Sequence, residues 1–360
     1  MKKHFKRALS LLLAILLCIG MLPVSASAAD LTGSMSMIDI KSRDHALSSS
    51  LPAPFGGDAS EKYTMLRITD SSTGATKTAY CLELGISTYY QEQYQPSADY
   101  PQFSQEQKEL INAVLTLGYN TDTGVKYGGS PEDEYIATQI LVWLIAHKQL
   151  GTQYENQIVS EFTVNSPGAK TVFTKLRKAV MDYRTIPSFA CEDSKYASSH
   201  TYELKYNAQT GKYETTLTDS NRVLSEFSFS QPGVSFARTG NQLKISSEKT
   251  SFSTVSGEKK LPSSIAGVVK GASRYWLNEH YQNVVTFEVG GEPLPVKAYF
   301  GLEVKAGHLK IVKTSEDGKV SGLPFHVSGS GVEKDVSTGP DGTVQTNNLP
   351  AGTYTVTEKT

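Results

Sequence analysis

The stretch Ile136-Ala137-Thr138-Gln139-Ile140-Leu141-Val142-Trp143-Leu144-Ile145-Ala146 is apolar around almost its whole helical circumference. A helix of that kind is buried on most sides. Its start is marked by Ser130 at the N-cap, Pro131 at the first helical position, and Glu132, Asp133 and Glu134 in the first turn. The pattern predicts a helix running to about Gln149 and stopping at Gly151. Gln139 lies inside this block, so its amide is desolvated. A buried amide without partners costs roughly 1–3 kcal/mol. It is therefore either well hydrogen-bonded or chemically converted.

Working outward, the N-terminal side supplies a reagent for that conversion. Tyr63 to Ile68 reads as a strand, Asp70-Ser71-Ser72-Thr73-Gly74 as a turn, and Thr76 to Leu84 as the returning strand. Cys81 sits near the end of this hairpin. A thiolate attacking a carboxamide carbon forms a tetrahedral oxyanion, expels ammonia and leaves an internal thioester. Amides are poor acceptors, so the step requires fixed proximity, where effective molarities reach about 10⁵–10⁸ M. It also requires a base or a lowered thiol pKa. His147, two helical turns beyond Gln139, is a candidate base by position alone. The alternative is an ordinary buried amide, with Cys81 either a small core hydrophobe or the disulfide partner of Cys191.

Two further helices flank the block. Ser104 and Gln107 form a capping box ahead of the stripe Leu110, Ile111, Val114 and Leu115, which ends at Gly118. Ser166-Pro167 opens another, with Val172, Phe173, Leu176, Val180 and Tyr183 on one face. Residues 29–60, rich in Ser, Gly, Pro and Ala, read as an irregular lead-in. After Pro187 the period becomes two. Residues 202–206 and 213–217 form a hairpin about Asn207 to Gly211, and strands are expected at 224–229, 243–246, 284–289 and 296–304. Residues 187–305 thus read as a β-sandwich or barrel, either a continuation of what precedes them or a second β-domain.

The first 28 residues read as a signal peptide. Lys2, Lys3, Lys6 and Arg7 precede the apolar stretch from Leu9 to Leu22, and Ala26-Ser27-Ala28 offers a cleavage site. A lipoprotein signal at Cys18 fits less well, because Leu17 is bulky where that signal wants a small residue. Lys plus Arg number 35 and Asp plus Glu 36, with no basic stripe, which argues against nucleic acid as a partner. No second apolar stretch could span a membrane, so the expected membrane contact is through the signal peptide alone. Nothing in the residues calls for a cofactor or a metal.

Tyr80-Cys81-Leu82 followed by Thr138-Gln139-Ile140-Leu141-Val142-Trp143 resembles the thioester domain of Gram-positive surface adhesins. That family pairs a [Tyr/Phe/Leu]-Cys strand motif with a Thr-Gln-x-Ala-(Ile/Val)-Trp helix motif; Leu141 stands here in place of its Ala. Ile186-Pro187-Ser188-Phe189 is also similar to the family. The resemblance covers about 60–190 and extends to about 305. It implies an α+β domain over 29–186, β-strands with an inserted helical subdomain, whose Cys81–Gln139 thioester reacts with amines on a host protein or other surface.

The final residues carry a second resemblance. Gly307 to Thr314, Gly322-Leu323-Pro324-Phe325 and Leu349-Pro350-Ala351-Gly352-Thr353-Tyr354-Thr355-Val356-Thr357-Glu358 are similar to a Cna-B or SpaA-type stalk module, a prealbumin-like, Ig-like β-sandwich. The resemblance implies that Lys313 and Glu358 occupy isopeptide-forming positions. Burial would make both neutral, leaving the amine nucleophilic and the acid able to polarise an Asn amide. On residue type alone both are surface charges. The Asn of the family's last strand is absent from the chain, so 306–360 reads as an incomplete module of a longer, wall-anchored protein.

These readings point to an exported cell-surface adhesin of a Gram-positive bacterium that attaches covalently to amines and does not turn over. A non-covalent surface or pilus-tip binding protein with an inert site is the alternative. A cysteine transpeptidase using Cys81 and His147 stands third.

Overall fold

The computed structural model describes residues 32–42, 48–56, 62–89, 92–291 and 295–359. The expected signal peptide, with Cys18, lies outside them. Within the expected irregular lead-in, residues 33–42 instead form strand β1 (Gly33–Ser42). The alternation Ser34, Met35, Ser36, Met37 is the period-two signal that produces it. β1 pairs antiparallel with β2 (Lys62–Asp70), and β2 with β3 (Thr76–Cys81). β3 ends at Cys81 and does not run on to Leu84. A short strand, β4 (Gln93–Ser97), pairs with the far side of β1.

Four helices then follow among the described residues: α1 (Gln105–Leu117), α2 (Pro131–Ala146), α3 (Glu155–Phe162) and α4 (Pro167–Arg184). Both halves of the capping box at α1 are made, Gln107 N–H to Ser104 Oγ and Ser104 N–H to Gln107 Oε1. At α2, Ser130 Oγ accepts from Asp133 N–H. The helix closes at His147, and Lys148 and Gly151 take positive φ, so the chain turns away before Gln149. All of Glu134 to Ile145 is buried, as the apolar circumference requires. Each Leu, Ile or Val fully buried there contributes roughly 1.5–3 kcal/mol. α3 carries no strong cap or long period, which is why the sequence signals pass it over.

Beyond α4 the chain is β-rich. β6 (Lys205–Asn207), β7 (Lys212–Thr218), β9 (Val234–Thr239) and β10 (Gln242–Ser247) form one sheet, in the order β6-β7-β10-β9. β5 (Thr201–Glu203), β8 (Phe227–Ser230), β11 (Val255–Lys259) and β14 (Lys297–Glu303) form another, in the order β5-β14-β11-β8. Phe229 joins them, its ring centroid 6.1 Å from Phe236 and 5.6 Å from Phe300. At the junction, buried Asp219 accepts from the N–H groups of Ser188, Asn221, Val223 and Leu224.

β12 (Gly271–Leu277) and β13 (Val284–Val289) belong to neither sheet. They return to the N-terminal strands and close a barrel, β1-β2-β3-β13-β12-β4. β13 pairs with β3 so that Val284 stands opposite Cys81. Residues some 200 positions apart therefore flank the cysteine. The last segment forms a two-stranded sheet, β15 (Ala306–Val312) with β18 (Thr343–Pro350), and a three-stranded one in which β16 (Pro324–Gly329) lies between β17 (Val332–Ser337) and β19 (Thr355–Glu358).

Candidate functional site

The structure brings Cys81 and Gln139 together. Gln139 Oε1 accepts from the Cys81 backbone N–H at 2.8 Å, and Gln139 Nε2 donates to the Cys81 carbonyl at 2.9 Å. The carboxamide thus takes the place of a neighbouring strand at the end of β3. Gln139 is 2% exposed and Cys81 8%. Its burial carries no orphan penalty, because each half of the amide has a partner.

Several contacts fix that register. Tyr135, one helical turn before Gln139, donates its hydroxyl to Ala79 O at 3.0 Å and accepts from Leu66 N–H at 3.1 Å. Its ring stacks on Tyr80 at 4.9 Å. The Tyr80 hydroxyl in turn donates to Tyr119 O. Thr138 Oγ1 donates to Glu134 O and accepts from Tyr119 N–H at 3.1 Å, tying α2 to the end of α1. A side chain at Gly118 would meet Thr138 at 2.7 Å, so only glycine permits this approach.

Downstream of Cys81 the chain is pinned as firmly. Leu82 N–H donates to Asn283 O at 3.0 Å. The Glu83 carboxylate accepts from Tyr100 O–H at 2.9 Å and from Asn283 N–H at 2.8 Å. Leu84 N–H donates to His147 Nε2 at 3.1 Å. Accepting there makes His147 the neutral Nδ1–H tautomer and occupies the lone pair that a base would use. His147 is therefore a positioning residue; the role of base expected from its sequence position does not fit this bond. Burial holds its pKa below the ordinary value, against the opposing charge of Glu83.

Cys81 and Gln139 line a cleft of about 460 Å³ together with Glu83, Tyr135, Trp143 and Gln282. This lies within the roughly 300–1,000 Å³ typical of small-molecule sites. Two polar atoms in its wall are buried without a hydrogen-bond partner among the described residues: the Trp143 Nε1–H and Gln282 Oε1. Tyr94 O–H is also buried without such a partner. Its pKa is pushed up, first by burial and then by the nearby Cys81. Sequence reasoning missed Gln282, Glu83 and Tyr94. Gln282 precedes β13, and only closure of the barrel carries it to the cysteine.

Cys191 is elsewhere. It bridges to Tyr299, and its Sγ lies 3.3 Å from both Asp193 O and Tyr299 O. Neither Cys81 nor Cys191 forms a disulfide, which corrects the alternative pairing. The register of β14 holds Cys191 away from the barrel end. Lys313 and Glu358 do meet, Nζ to Oε2 at 2.7 Å. Their side chains are 27% and 40% exposed, so the burial on which mutual neutrality depends is not present. Among the described residues no cluster of potential metal ligands occurs, and no helix is long and apolar enough to cross a membrane.

Two family models match parts of the chain. Residues 78–181 match the thioester domain family, and residues 307–360 match the SpaA family of prealbumin-like fold domains. The thioester match spans both Cys81 and Gln139. No curated protein matches the chain. Among solved structures, it is similar to the thioester domain of the Staphylococcus aureus TIE protein, at 14% identity and a TM-score of 0.42, covering 76% of this chain and 100% of that one. It is also similar to the Bacillus anthracis TIE protein, at 18% identity and a TM-score of 0.33, covering 92% of this chain and 60% of that one.

Proposed function

We propose, for a chain that carries a thioester domain followed by a SpaA-type prealbumin-like module, that Cys81 and Gln139 close an internal thioester and spend it once on an amine of a target surface. The observation that carries this reading is the clasp of the Gln139 carboxamide on both backbone polar groups of Cys81. It holds the carboxamide against the backbone of the residue that carries the attacking thiol.

In the closing step, Cys81 Sγ bonds to Gln139 Cδ, the Cδ–Nε2 bond breaks, and the thiol proton leaves with the nitrogen as ammonia. The oxyanion forms on Oε1, where the Cys81 N–H already donates at 2.8 Å. A preplaced backbone donor at a developing oxyanion contributes substantially to such steps. In the capture step, an amine nitrogen bonds to Cδ and the Cδ–Sγ bond breaks. One amine proton passes to sulfur. Gln139 is left joined to the target by an amide bond, and Cys81 returns to a thiol. The same N–H serves both steps.

Amide products do not reopen under these conditions, so each molecule acts once and is not a turnover catalyst. The context of a thioester domain ahead of a stalk-type module fits an exported, wall-anchored adhesin of a Gram-positive bacterium. Intact mass spectrometry tests the reading. The protein is expected to weigh one ammonia less than its sequence, to gain one methylamine stoichiometrically at Gln139, and to lose both properties in Cys81→Ala. Full mass with no labelling would leave a non-covalent binding protein as the better account.

A further inference from the structure

We infer that Gln282 is the specificity-determining acceptor of the cleft, holding one N–H of the attacking amine and so selecting primary over secondary amines. The inference rests on the thioester reading above and concerns how the bond is opened.

Gln282 is 6% exposed, yet its Oε1 is buried with no hydrogen-bond partner among the described residues. An amide cannot relieve that state by changing protonation, so a partner from outside the chain is its remedy. The residue lines the cleft that Cys81 and Gln139 line. Its backbone is fixed, with Gln282 N–H donating to Ser87 O at 3.3 Å and the next residue, Asn283, held by Glu83. Register supports the placement, because Val284, two residues on, stands opposite Cys81.

None of the hydroxyls of the wall, on Tyr63, Thr64, Ser87, Thr88 and Tyr135, is buried and unpaired as Gln282 Oε1 is, and the other polar groups nearest the cysteine do not fit the task. Trp143 Nε1–H is a donor and cannot accept from an amine. Both oxygens of Glu83 are already engaged, by Tyr100 and Asn283. Tyr135 uses its hydroxyl on Leu66 and Ala79. Gln282 Oε1 remains as an acceptor without a donor.

The chemistry of attack needs such a group. When a primary amine bonds to Gln139 Cδ, its nitrogen becomes cationic and carries two hydrogens. One passes to Cys81 Sγ as the carbon–sulfur bond breaks. The other stays on nitrogen and becomes the N–H of the product amide, and this is the hydrogen that Gln282 Oε1 accepts. A secondary amine carries only the hydrogen that must go to sulfur. The acceptor therefore assists primary amines, such as a lysine side chain, and has nothing to offer a secondary one.

The test compares labelling of the full chain by methylamine and by dimethylamine, followed by intact mass. Gln282→Leu is expected to slow methylamine labelling about tenfold, the order expected from one hydrogen bond, and to leave the dimethylamine rate within about twofold. Gln282→Glu, which keeps an oxygen acceptor, should restore the preference for methylamine. The ratio of the two rates is read only from molecules that carry the thioester, so partial loading does not disturb it. Equal slowing with both amines, or an unchanged ratio, overturns the inference. So does a complete failure of Gln282→Leu to load, which would give Gln282 a role in making the bond. A wild-type protein that never loses ammonia overturns the thioester reading itself, a result distinct from each of these.

Discussion

Gln139 and Cys81 are joined as two strands are joined: one N–H···O contact of 2.8 Å and one of 2.9 Å, running in opposite senses between a side-chain amide and a backbone. The relationship makes Gln139 both a structural clamp and the candidate acyl group. The two roles separate in Gln139→Glu. The carboxylate keeps the acceptor for Cys81 N–H but has no N–H for the Cys81 carbonyl and no ammonia to lose. The variant is expected to fold, to show its full sequence mass, to ignore methylamine, and to be less stable than the unloaded Cys81→Ala protein, which keeps Nε2 on the Cys81 carbonyl, by about 1–3 kcal/mol for the unmet carbonyl and the buried charge. Denaturant unfolding beside intact mass checks both halves. Methylamine incorporation in this variant would contradict the assignment.

Tyr135→Phe probes the register independently of the reacting groups. Removing one hydroxyl strands Leu66 N–H and Ala79 O inside the core while leaving the ring stacked on Tyr80. A loss of about 2–4 kcal/mol is expected, from two buried groups each costing about 1–3 kcal/mol less whatever relaxation recovers. Because Ala79 is two residues before Cys81 on β3, thioester loading should fall as well. Unchanged stability in urea would show that the hydroxyl's bonds are not made in solution.

How much of this site the sequence disclosed depends on whether its signals were local. Ser130, Pro131 and the acidic first turn announce α2 because caps and the helix dipole act within one turn. Cys81 and Gln139 stand out because a thiol on a strand and an amide in an apolar helix are locally odd. Gln282, Asn283 and Glu83 have no such mark. They become neighbours only when β12 and β13 cross the length of the chain to close the barrel, and long-range strand pairing leaves little trace in either partner's own residues. β1 is the intermediate case: its alternation of Ser and Met is visible, but the Ser- and Pro-rich stretch around it hides it. The partial exposure of Lys313 and Glu358 was legible from residue type, which makes both surface charges; the resemblance to an isopeptide-forming module was what argued for burial.

His147 gives the site a pH dependence whose sign follows from its bond to Leu84. As an acceptor it must be neutral, and burial depresses its pKa in the folded state. Between the folded value and the ordinary value near 6.5 the unfolded chain binds more protons. The stabilisation is therefore complete above about pH 6.5 and is lost as pH falls through the folded value. Hydrogen exchange, corrected for the intrinsic rate, should show Leu84 N–H losing protection on acidification. His147→Gln, which offers an oxygen acceptor that does not titrate, should lack the step. A step persisting in that variant would assign it to another group.

The pair Lys313–Glu358 carries a prediction in the opposite direction, namely of a small effect. At 2.7 Å it is well formed, but with both side chains partly exposed it belongs with surface ion pairs, which contribute about 0–1 kcal/mol. Lys313→Met should change the unfolding free energy of the chain by less than about 1 kcal/mol, and that change should shrink further in high salt. A larger, salt-insensitive loss would show that the pair is enclosed in solution.

Gly33→Ala tests barrel closure itself. A methyl group at Gly33 would lie 2.6 Å from the ring of Trp276, a residue of β12 that is buried and donates its indole N–H to Thr286 at 3.0 Å. Trp276 cannot retreat without breaking that bond, and Thr286 sits on β13, the strand opposite Cys81. Overpacking of this kind typically costs about 1–3 kcal/mol. Strain entering at β1 should thus reach the site through β12 and β13, so that Gly33→Ala loses stability and loads less thioester together. Lost stability with undiminished loading would mean that the barrel yields at β1 alone and that the alignment of β13 with β3 is held by the helices packed against it.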